Sequence, residues 1–309
     1  MVSILNFLGH HATVFMASGV FVGLALQPLA AASKPLLMPT VWALLAMSMM
    51  RLELSAFRAV FRRPMRLVLV LVFMLAFTPV AMWLIVADLP LADGIKAALV
   101  MGAGSAPLMS TPAFGLILGL DAALILAILV VATFLIPITL PIVVLALLGL
   151  DLETGMGELM LRLGGMVGTA AIAAALARRV IGRQWIDEAR LPLDGFAVLR
   201  LVLFAIPLMD GLTARFLTEP GYVLMLIGVS FAVYIGLMVA GALVFWIVWR
   251  DKHAAWSAGL TSGCRNLAII IAVLPASADP EIITYFALAQ FPIYIMPMVL
   301  GIVMNRNLR

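Results

Sequence analysis

The sequence has few of the residues from which most enzyme and metal sites are built. A single cysteine, Cys264, excludes a disulfide within the chain and a cysteine cluster for a metal. The three histidines, His10, His11 and His253, are too scattered to form a metal site. No nucleophile–base pair and no paired carboxylates occur in the apolar segments, so an enzyme is the least favoured class. We expect no metal and no cofactor.

Charge is also scarce, because only 11% of the 309 residues are charged while 65% are hydrophobic. A soluble domain of this length needs more polar surface to cover its core. The apolar runs are long and unbroken, whereas membrane strands would alternate over ~10-residue segments. The sequence therefore predicts an all-α integral membrane protein in contact with a lipid bilayer. The net charge of +4 is small, and we expect no nucleic-acid partner.

Ten segments approach the roughly 20 apolar residues that a membrane-spanning helix needs. The predicted spans are 13–31, 35–50, 66–87, 94–117, 120–148, 157–177, 195–214, 221–249, 254–276 and 282–304. The basic residues support this even number, because ten spans place most of them on one side. Those on that side are Arg51, Arg58, Arg62, Arg63, Arg66, Arg178, Arg179, Arg183, Arg190, Arg250, Lys252, Arg306 and Arg309, against Lys34, Lys96 and Arg215 on the other. This bias predicts a bacterial-type inner membrane protein with both termini in the cytoplasm.

Two of the ten segments carry small and polar residues in the middle of an apolar helix. They are the fourth, at 101–112, and the ninth, at 257–266. Five spans separate them, and an odd separation gives equivalent helices opposite orientations. The pattern predicts two inverted five-helix repeats, 1–154 and 155–309, with interrupted helices at matching places. Such interruptions are typical of the binding site of a secondary transporter.

The first interruption contains a signal for a helix start inside the membrane. Thr111 before Pro112 predicts an N-cap followed by a proline at the first helical position. The exposed N–H groups of such a half-helix would suit an anion. The alternative is a packed kink of small residues, since glycine and proline are common in membrane helices.

The second interruption contains Arg265 and Asn266. An arginine near the bilayer centre costs at least ~2.5 kcal/mol, so we expect it to face a polar cavity and to have partners. The alternative is an arginine that extends its guanidinium to the cytoplasmic interface. About twelve residues separate Arg265 from the loop at 251–253, which is roughly 18 Å of helix and too deep for that extension.

Other charges within the predicted spans have simpler interpretations. Asp210 could titrate with transported protons, but pairing with Arg200 or a position near the outer surface is favoured. Glu158 and Arg162 form an i,i+4 pair that we expect to be structural.

The two interruptions resemble the bile acid:sodium symporter superfamily. The matching segments are GSAPLMSTPAFGLILGLD at 104–121, TFLIPITLP at 133–141 and GCRNLAI at 263–269. The resemblance implies a panel domain of spans 1, 2, 6 and 7 and a core domain of spans 3–5 and 8–10. Discontinuous helices 4 and 9 would cross in the core, with substrate beside the crossing, and the core would move against the panel to give alternating access.

The chain departs from this family at the positions that hold its two sodium ions. Matched by the proline and asparagine landmarks, the polar sodium ligands fall on Met74, Pro112, Ile125, Leu129, Thr261 and Arg265. A hard cation needs several oxygen ligands, and apolar side chains supply none. We expect Arg265 to take the place of the cation, since a guanidinium is always charged.

The leading expectation is therefore a secondary transporter of a small organic anion without sodium coupling. The nature of the substrate is implied by the resemblance alone. The expected substrate-binding residues are Ser110, Thr111, Pro112, Ala113, Arg265 and Asn266. The alternatives are a sodium- or proton-coupled symporter of the same fold, and a membrane sensor or channel-like protein without a transport cycle. No sequence feature indicates an oligomeric state.

Overall fold

The computed structural model describes residues 12–51, 64–149, 155–275 and 277–307. Within these ranges the regular elements are helices and no strand is present. Residues discussed above that lie outside the described ranges are His10, His11, Arg58, Arg62, Arg63, Arg309 and the expected repeat boundary at 154.

The helices are named here in chain order. They are α1 Ala12–Ala25, α2 Gln27–Ser33, α3 Leu37–Met50, α4 Pro64–Val72, α5 Thr78–Val86, α6 Asp93–Ala103, α7 Thr111–Ile117, α8 Ala122–Val143, α9 Met156–Ile181, α10 Arg183–Glu188, α11 Arg190–Leu208, α12 Leu212–Thr218, α13 Pro220–Trp249, α14 Lys252–Gly263, α15 Leu267–Val273, α16 Pro280–Leu288 and α17 Gln290–Asn307. Short π-helical turns join α4 to α5 and extend α8.

Six helical runs of the described chain are long and apolar enough to cross a membrane. They are Gln27–Met50, Pro64–Val86, Ala122–Leu148, Met156–Ile181, Leu191–Leu208 and Pro220–Trp249. Large apolar side chains such as Leu84 and Ile247 are more than half exposed on them, as lipid-facing residues are. The chain is thus an all-α membrane protein. The expected fourth and ninth spans are each divided between two shorter helices.

The chain divides into two compact units. The first unit comprises Met1–Leu52 and Gly165–Leu226, and the second comprises Glu53–Gly164 and Ile227–Arg309. Each unit therefore combines segments that are distant in sequence.

In the first unit, α11 packs against α1, α2 and α3. The first expected span, 13–31, is not one helix, because the chain breaks at Leu26. Pro28 has no N–H to donate to a preceding turn, so a new helix starts at Gln27 with the proline in its first turn. The Gln27 amide donates to the Met209 carbonyl at 3.1 Å and accepts from the Gly211 N–H at 2.8 Å. One side chain thus joins this break to the break that follows α11.

The charges of the first unit pair differently from one expectation. Asp210 forms an ion pair with Lys34, while Arg200 lies over the Phe196 ring with 5.0 Å between its guanidinium carbon and the ring centroid. The favoured pairing of Asp210 with Arg200 is wrong. Lys34 belongs to the few basic residues assigned to the outer side, so this ion pair agrees with the other favoured position of Asp210, near the outer surface.

In the second unit, α13 and α14 pack closely through glycines. A Cβ added to Gly259 would lie 2.6 Å from the Met238 carbonyl oxygen, and one added to Gly263 would lie 2.8 Å from the Tyr234 carbonyl oxygen. The two glycines are four residues apart and lie on one face of α14, the small-xxx-small spacing of close membrane helix pairs. This contact fixes the position of the residues that follow Gly263.

Candidate functional site

Both expected interruptions are present in the second unit. Helix α6 ends at Ala103 and α7 begins at Thr111, so seven residues between them are not helical. Helix α14 ends at Gly263 and α15 begins at Leu267, with Cys264, Arg265 and Asn266 between them. Because the intervening residues leave the helical conformation, their backbone groups need partners outside their own helix.

The two interruptions provide these partners for each other. The Leu108 N–H donates to the Cys264 carbonyl and the Asn266 N–H donates to the Ala106 carbonyl, both at 2.8 Å. The two bonds form an antiparallel bridge between Pro107 and Arg265. The broken helices therefore cross at their non-helical segments and are joined there by backbone hydrogen bonds.

The Arg265 side chain ties the crossing together. Its Nε donates to the Ser262 carbonyl at 2.7 Å, its Nη1 to the Ser105 carbonyl at 2.7 Å and its Nη2 to the Thr78 hydroxyl at 3.0 Å. Only 4% of the residue is exposed. Arg265 thus has the partners expected of it and does not extend to an interface. No carboxylate among the described residues pairs with it.

Thr78 is a site residue that the sequence reasoning missed. Its hydroxyl accepts from Arg265 and lies 2.7 Å from the Met74 carbonyl and 2.8 Å from the Ala103 carbonyl. Pro79 follows it and has no N–H, and the π-helical turn at Phe73–Phe77 precedes it. A hydroxyl residue before a proline inside an apolar span was the signal that could have identified Thr78.

The start of α7 differs in detail from the expectation. Ser110 occupies the N-cap position, with no hydrogen bond from its side chain, and Thr111 is the first helical residue. The prediction of Thr111 as N-cap is wrong by one position. The helix has only seven residues, so its terminal dipole is a small source of positive potential. Ser110 and Pro112 are half-buried, and Ala113 is exposed.

Two polar side chains at the crossing have no hydrogen-bond partner among the described residues. The Thr111 hydroxyl is fully buried and forms no hydrogen bond of normal geometry. The Cys264 thiol, a weak hydrogen-bonding group, lies near it. Asn266 is 4% exposed and donates its backbone N–H to the Ala106 carbonyl, while its side chain makes no hydrogen bond to the described residues. Buried polar groups are usually paired, so both are available to a ligand.

A small cavity lies beside the crossing. Its volume is about 30 Å³, and its wall includes Arg265, Tyr234, Tyr285 and Ser230 among mainly apolar residues. The Tyr234 hydroxyl is hydrogen-bonded to the Cys264 thiol. Ser110, Thr111, Pro112 and Ala113 are not part of this wall. Of the expected substrate-binding residues, the cavity therefore contains Arg265 alone.

One ion pair anchors the start of α14, where Asp251 lies outside the membrane-spanning segments. The Asp251 carboxylate accepts from the Ala254 N–H at 3.2 Å, which caps α14, and from Arg66 Nη1 at 2.9 Å. The Ala254 N–H and the Arg66 guanidinium hold the pKa of Asp251 below its ordinary value, against the opposing effect of partial burial. The guanidinium carbon of Arg66 also lies 5.2 Å from the centroid of the Trp249 ring.

Neither the side chains of the described residues nor the comparisons with known proteins indicate a further function for the site. Within the described ranges, no group of three or more His, Cys, Asp or Glu side chains is placed to hold a metal. Comparison with protein-family models and with curated proteins gives no match for this chain. The crossing and its buried arginine are therefore the features from which a function can be inferred.

Proposed function

We propose that the chain is a secondary transporter that moves a small organic anion across the membrane by alternating access, without sodium coupling. The observation that carries the proposal is the crossing of two interrupted helices with a buried guanidinium at its centre. Interrupted membrane helices expose backbone groups and place half-helices at the depth where transporters bind their substrates.

The proposed architecture is ten spans in two inverted five-helix repeats, with both termini in the cytoplasm. The division of the chain supports it, because the first unit contains spans 1, 2 and 7 and most of span 6, and the second contains spans 3–5, 9 and 10 and most of span 8. These are the memberships of a panel and a core domain in the bile acid:sodium symporter superfamily, to which we propose that the chain is related. The pairing of the interruptions across the sequence further supports an internal repeat.

Sodium independence is supported by the side chains at the positions matched to sodium ligands. Met74 and Ile125 are fully buried and Leu129 is 3% exposed, and none of the three carries an oxygen. The Thr261 hydroxyl already bonds to backbone carbonyls of its own helix. Arg265 adds a permanent positive charge, which opposes the binding of another cation nearby.

The proposed substrate site includes Arg265 with the unpaired side chains of Thr111 and Asn266. Arg265 would supply charge, and the other two would supply a hydroxyl and an amide. The half-buried Ser110 and Pro112 and the exposed Ala113 extend the site to an accessible surface of the second unit.

The proposal is tested first by a thermal-stability screen of the purified protein with small organic anions, each in sodium chloride and in choline chloride. An anion at 100 times its Kd should add about 2.7 kcal/mol to the stability of the folded state, equally in both salts. Uptake of that anion into proteoliposomes should then be equal in sodium and choline buffers. Stabilisation or uptake in sodium alone would contradict the proposal.

A pair of variants assigns the role of Arg265. Arg265→Gln removes the charge and should weaken anion binding roughly 10- to 150-fold, the worth of a charged hydrogen bond. Arg162→Gln is the matched control, because Arg162 is a partly exposed arginine that pairs with Glu158 one turn earlier in α9. A folded Arg265→Gln protein with unchanged binding and uptake would show that the charge has no part in recognition.

A second candidate is a membrane sensor or channel-like protein without a transport cycle. The hydrogen bonds from Arg265 to residues near both interruptions and to α5 favour it, because they hold the crossing in one arrangement. In this case an anion would stabilise the protein without being taken up. Cys264, which is 1% exposed, would become accessible to a thiol reagent only in the form without ligand.

A further inference from the structure

The buried charge of Arg265 is incompletely neutralised by the protein. Its three hydrogen bonds all go to neutral oxygens, two carbonyls and one hydroxyl. A guanidinium has five N–H donors, so two of them have no acceptor among the described residues. A buried ion without a counter-charge destabilises the folded protein, and a nearby anion would offset this cost.

The cavity beside the crossing offers a place for that anion. Tyr285 lines it, is 3% exposed, and has a hydroxyl that can donate a hydrogen bond. Either atom can be the donor in the hydrogen bond between Tyr234 and Cys264. When the Cys264 thiol donates, the Tyr234 hydroxyl proton is left as a second donor to the anion. Ser230 contributes no donor, because its hydroxyl already donates to the Ile227 carbonyl at 2.7 Å.

The volume of the cavity selects the kind of anion. About 30 Å³ is more than the roughly 10–15 Å³ that one water needs, so the space holds more than a single water. It is an order of magnitude below the roughly 300 Å³ of the smallest drug-sized pockets, so the cavity is too small for a drug-sized ligand. A monatomic or similarly small anion suits this space.

We propose that this cavity binds one inorganic anion of halide size as the counter-ion of Arg265, held by the Tyr285 hydroxyl. The binding of this anion does not depend on the proposed transport cycle. A halide would neutralise the positive charge of Arg265 at the crossing. It would also accept hydrogen bonds from the Arg265 N–H groups that have no acceptor among the described residues.

The experiment measures the melting temperature of the full chain in detergent as chloride or bromide replaces gluconate at constant sodium and ionic strength. No organic anion is added, so the result is separate from the test of transport. We expect the melting temperature to rise with halide and to saturate, and equilibrium binding of radioactive chloride to reach one ion per chain. Equal melting temperatures in chloride and gluconate would overturn the proposal and leave water as the occupant.

Two tyrosine variants distinguish this cavity from a general salt effect. Tyr285→Phe keeps the ring and removes the hydroxyl, and it should raise the half-saturating halide concentration at least about fivefold, the lower end for an unmade buried hydrogen bond. Tyr294→Phe is the control, because the Tyr294 hydroxyl is buried and unpaired but Tyr294 does not line the cavity. An unchanged halide response in Tyr285→Phe, or an equal loss in both variants, would refute the assignment.

Discussion

The close packing of α13 against α14 makes the effect of one methyl group predictable. The perturbation is Gly259→Ala. Its Cβ would lie 2.6 Å from the Met238 carbonyl oxygen, 2.8 Å from the Ala242 Cβ and 3.0 Å from the Ala242 nitrogen. Two of these three atoms belong to the backbone, so no flexible side chain can move away. The helices themselves must separate.

The magnitude follows from two opposing effects. Overpacking of a tight contact costs about 1–3 kcal/mol. Replacing a helical glycine by alanine gains up to about 1 kcal/mol from helix propensity. Gly236→Ala in α13 isolates the second effect, because nothing lies within 4 Å of a Cβ at that position. Gly259→Ala should therefore be less stable than Gly236→Ala by about 1–3 kcal/mol.

The assay compares both variants with the parent chain by thermal unfolding in one detergent. We expect Gly259→Ala to melt several degrees below Gly236→Ala, since about 1 kcal/mol shifts the melting temperature of a larger domain by roughly 2–4 °C. The crossing follows α14 directly, so Gly259→Ala should also weaken the binding of any anion that the screen identifies. Equal melting temperatures for the two variants would refute the close approach of α13 and α14.

The second unit supports two more predictions. Thr78→Val removes the acceptor of one Arg265 N–H bond and should destabilise the protein by about 1–3 kcal/mol in thermal unfolding, whereas Thr78→Ser should restore most of the loss; equal stability of Val and Ser would contradict this. Because Ala254 and Arg66 lower the pKa of Asp251 in the folded state, its stabilising effect is present at neutral pH and is lost as the pH falls below about 4 and through that lowered pKa. Melting temperatures from pH 7 to 3 should therefore depend less on pH in Asp251→Asn, which keeps an oxygen for the helix cap.

The sequence was most informative where a residue type conflicts with its surroundings. Glycine, proline and hydroxyl residues inside an apolar helix predicted both interruptions, because proline lacks an N–H, glycine weakens a helix and hydroxyl groups compete for its backbone bonds. An arginine twelve residues from the nearest loop predicted a buried guanidinium with partners, and Arg265 has them. The pairing of Glu158 with Arg162 is also confirmed, since it depends only on helix periodicity.

The partners of these residues were less predictable. Arg265 bonds to the carbonyls of Ser105 and Ser262, and a carbonyl is present at every position, so no residue type marks it. The pairing of Asp210 with Lys34 depends on how two distant helix ends meet, which periodicity does not encode. The break at Leu26 depended on Pro28, whose effect competes with a run of apolar residues on both sides.

The backbone bonds at the crossing also impose an order on the biosynthesis of the chain. Arg265 and Ser105, which it contacts, are 160 positions apart in sequence. At roughly 5–20 residues per second, the ribosome needs about 8–32 s to synthesise the chain between them. During this interval the amide of Leu108 and the carbonyl of Ala106 have no Cys264 or Asn266 to pair with. The first interrupted helix must therefore wait in the membrane or at its surface, and a chain truncated before α14 would leave it permanently incomplete.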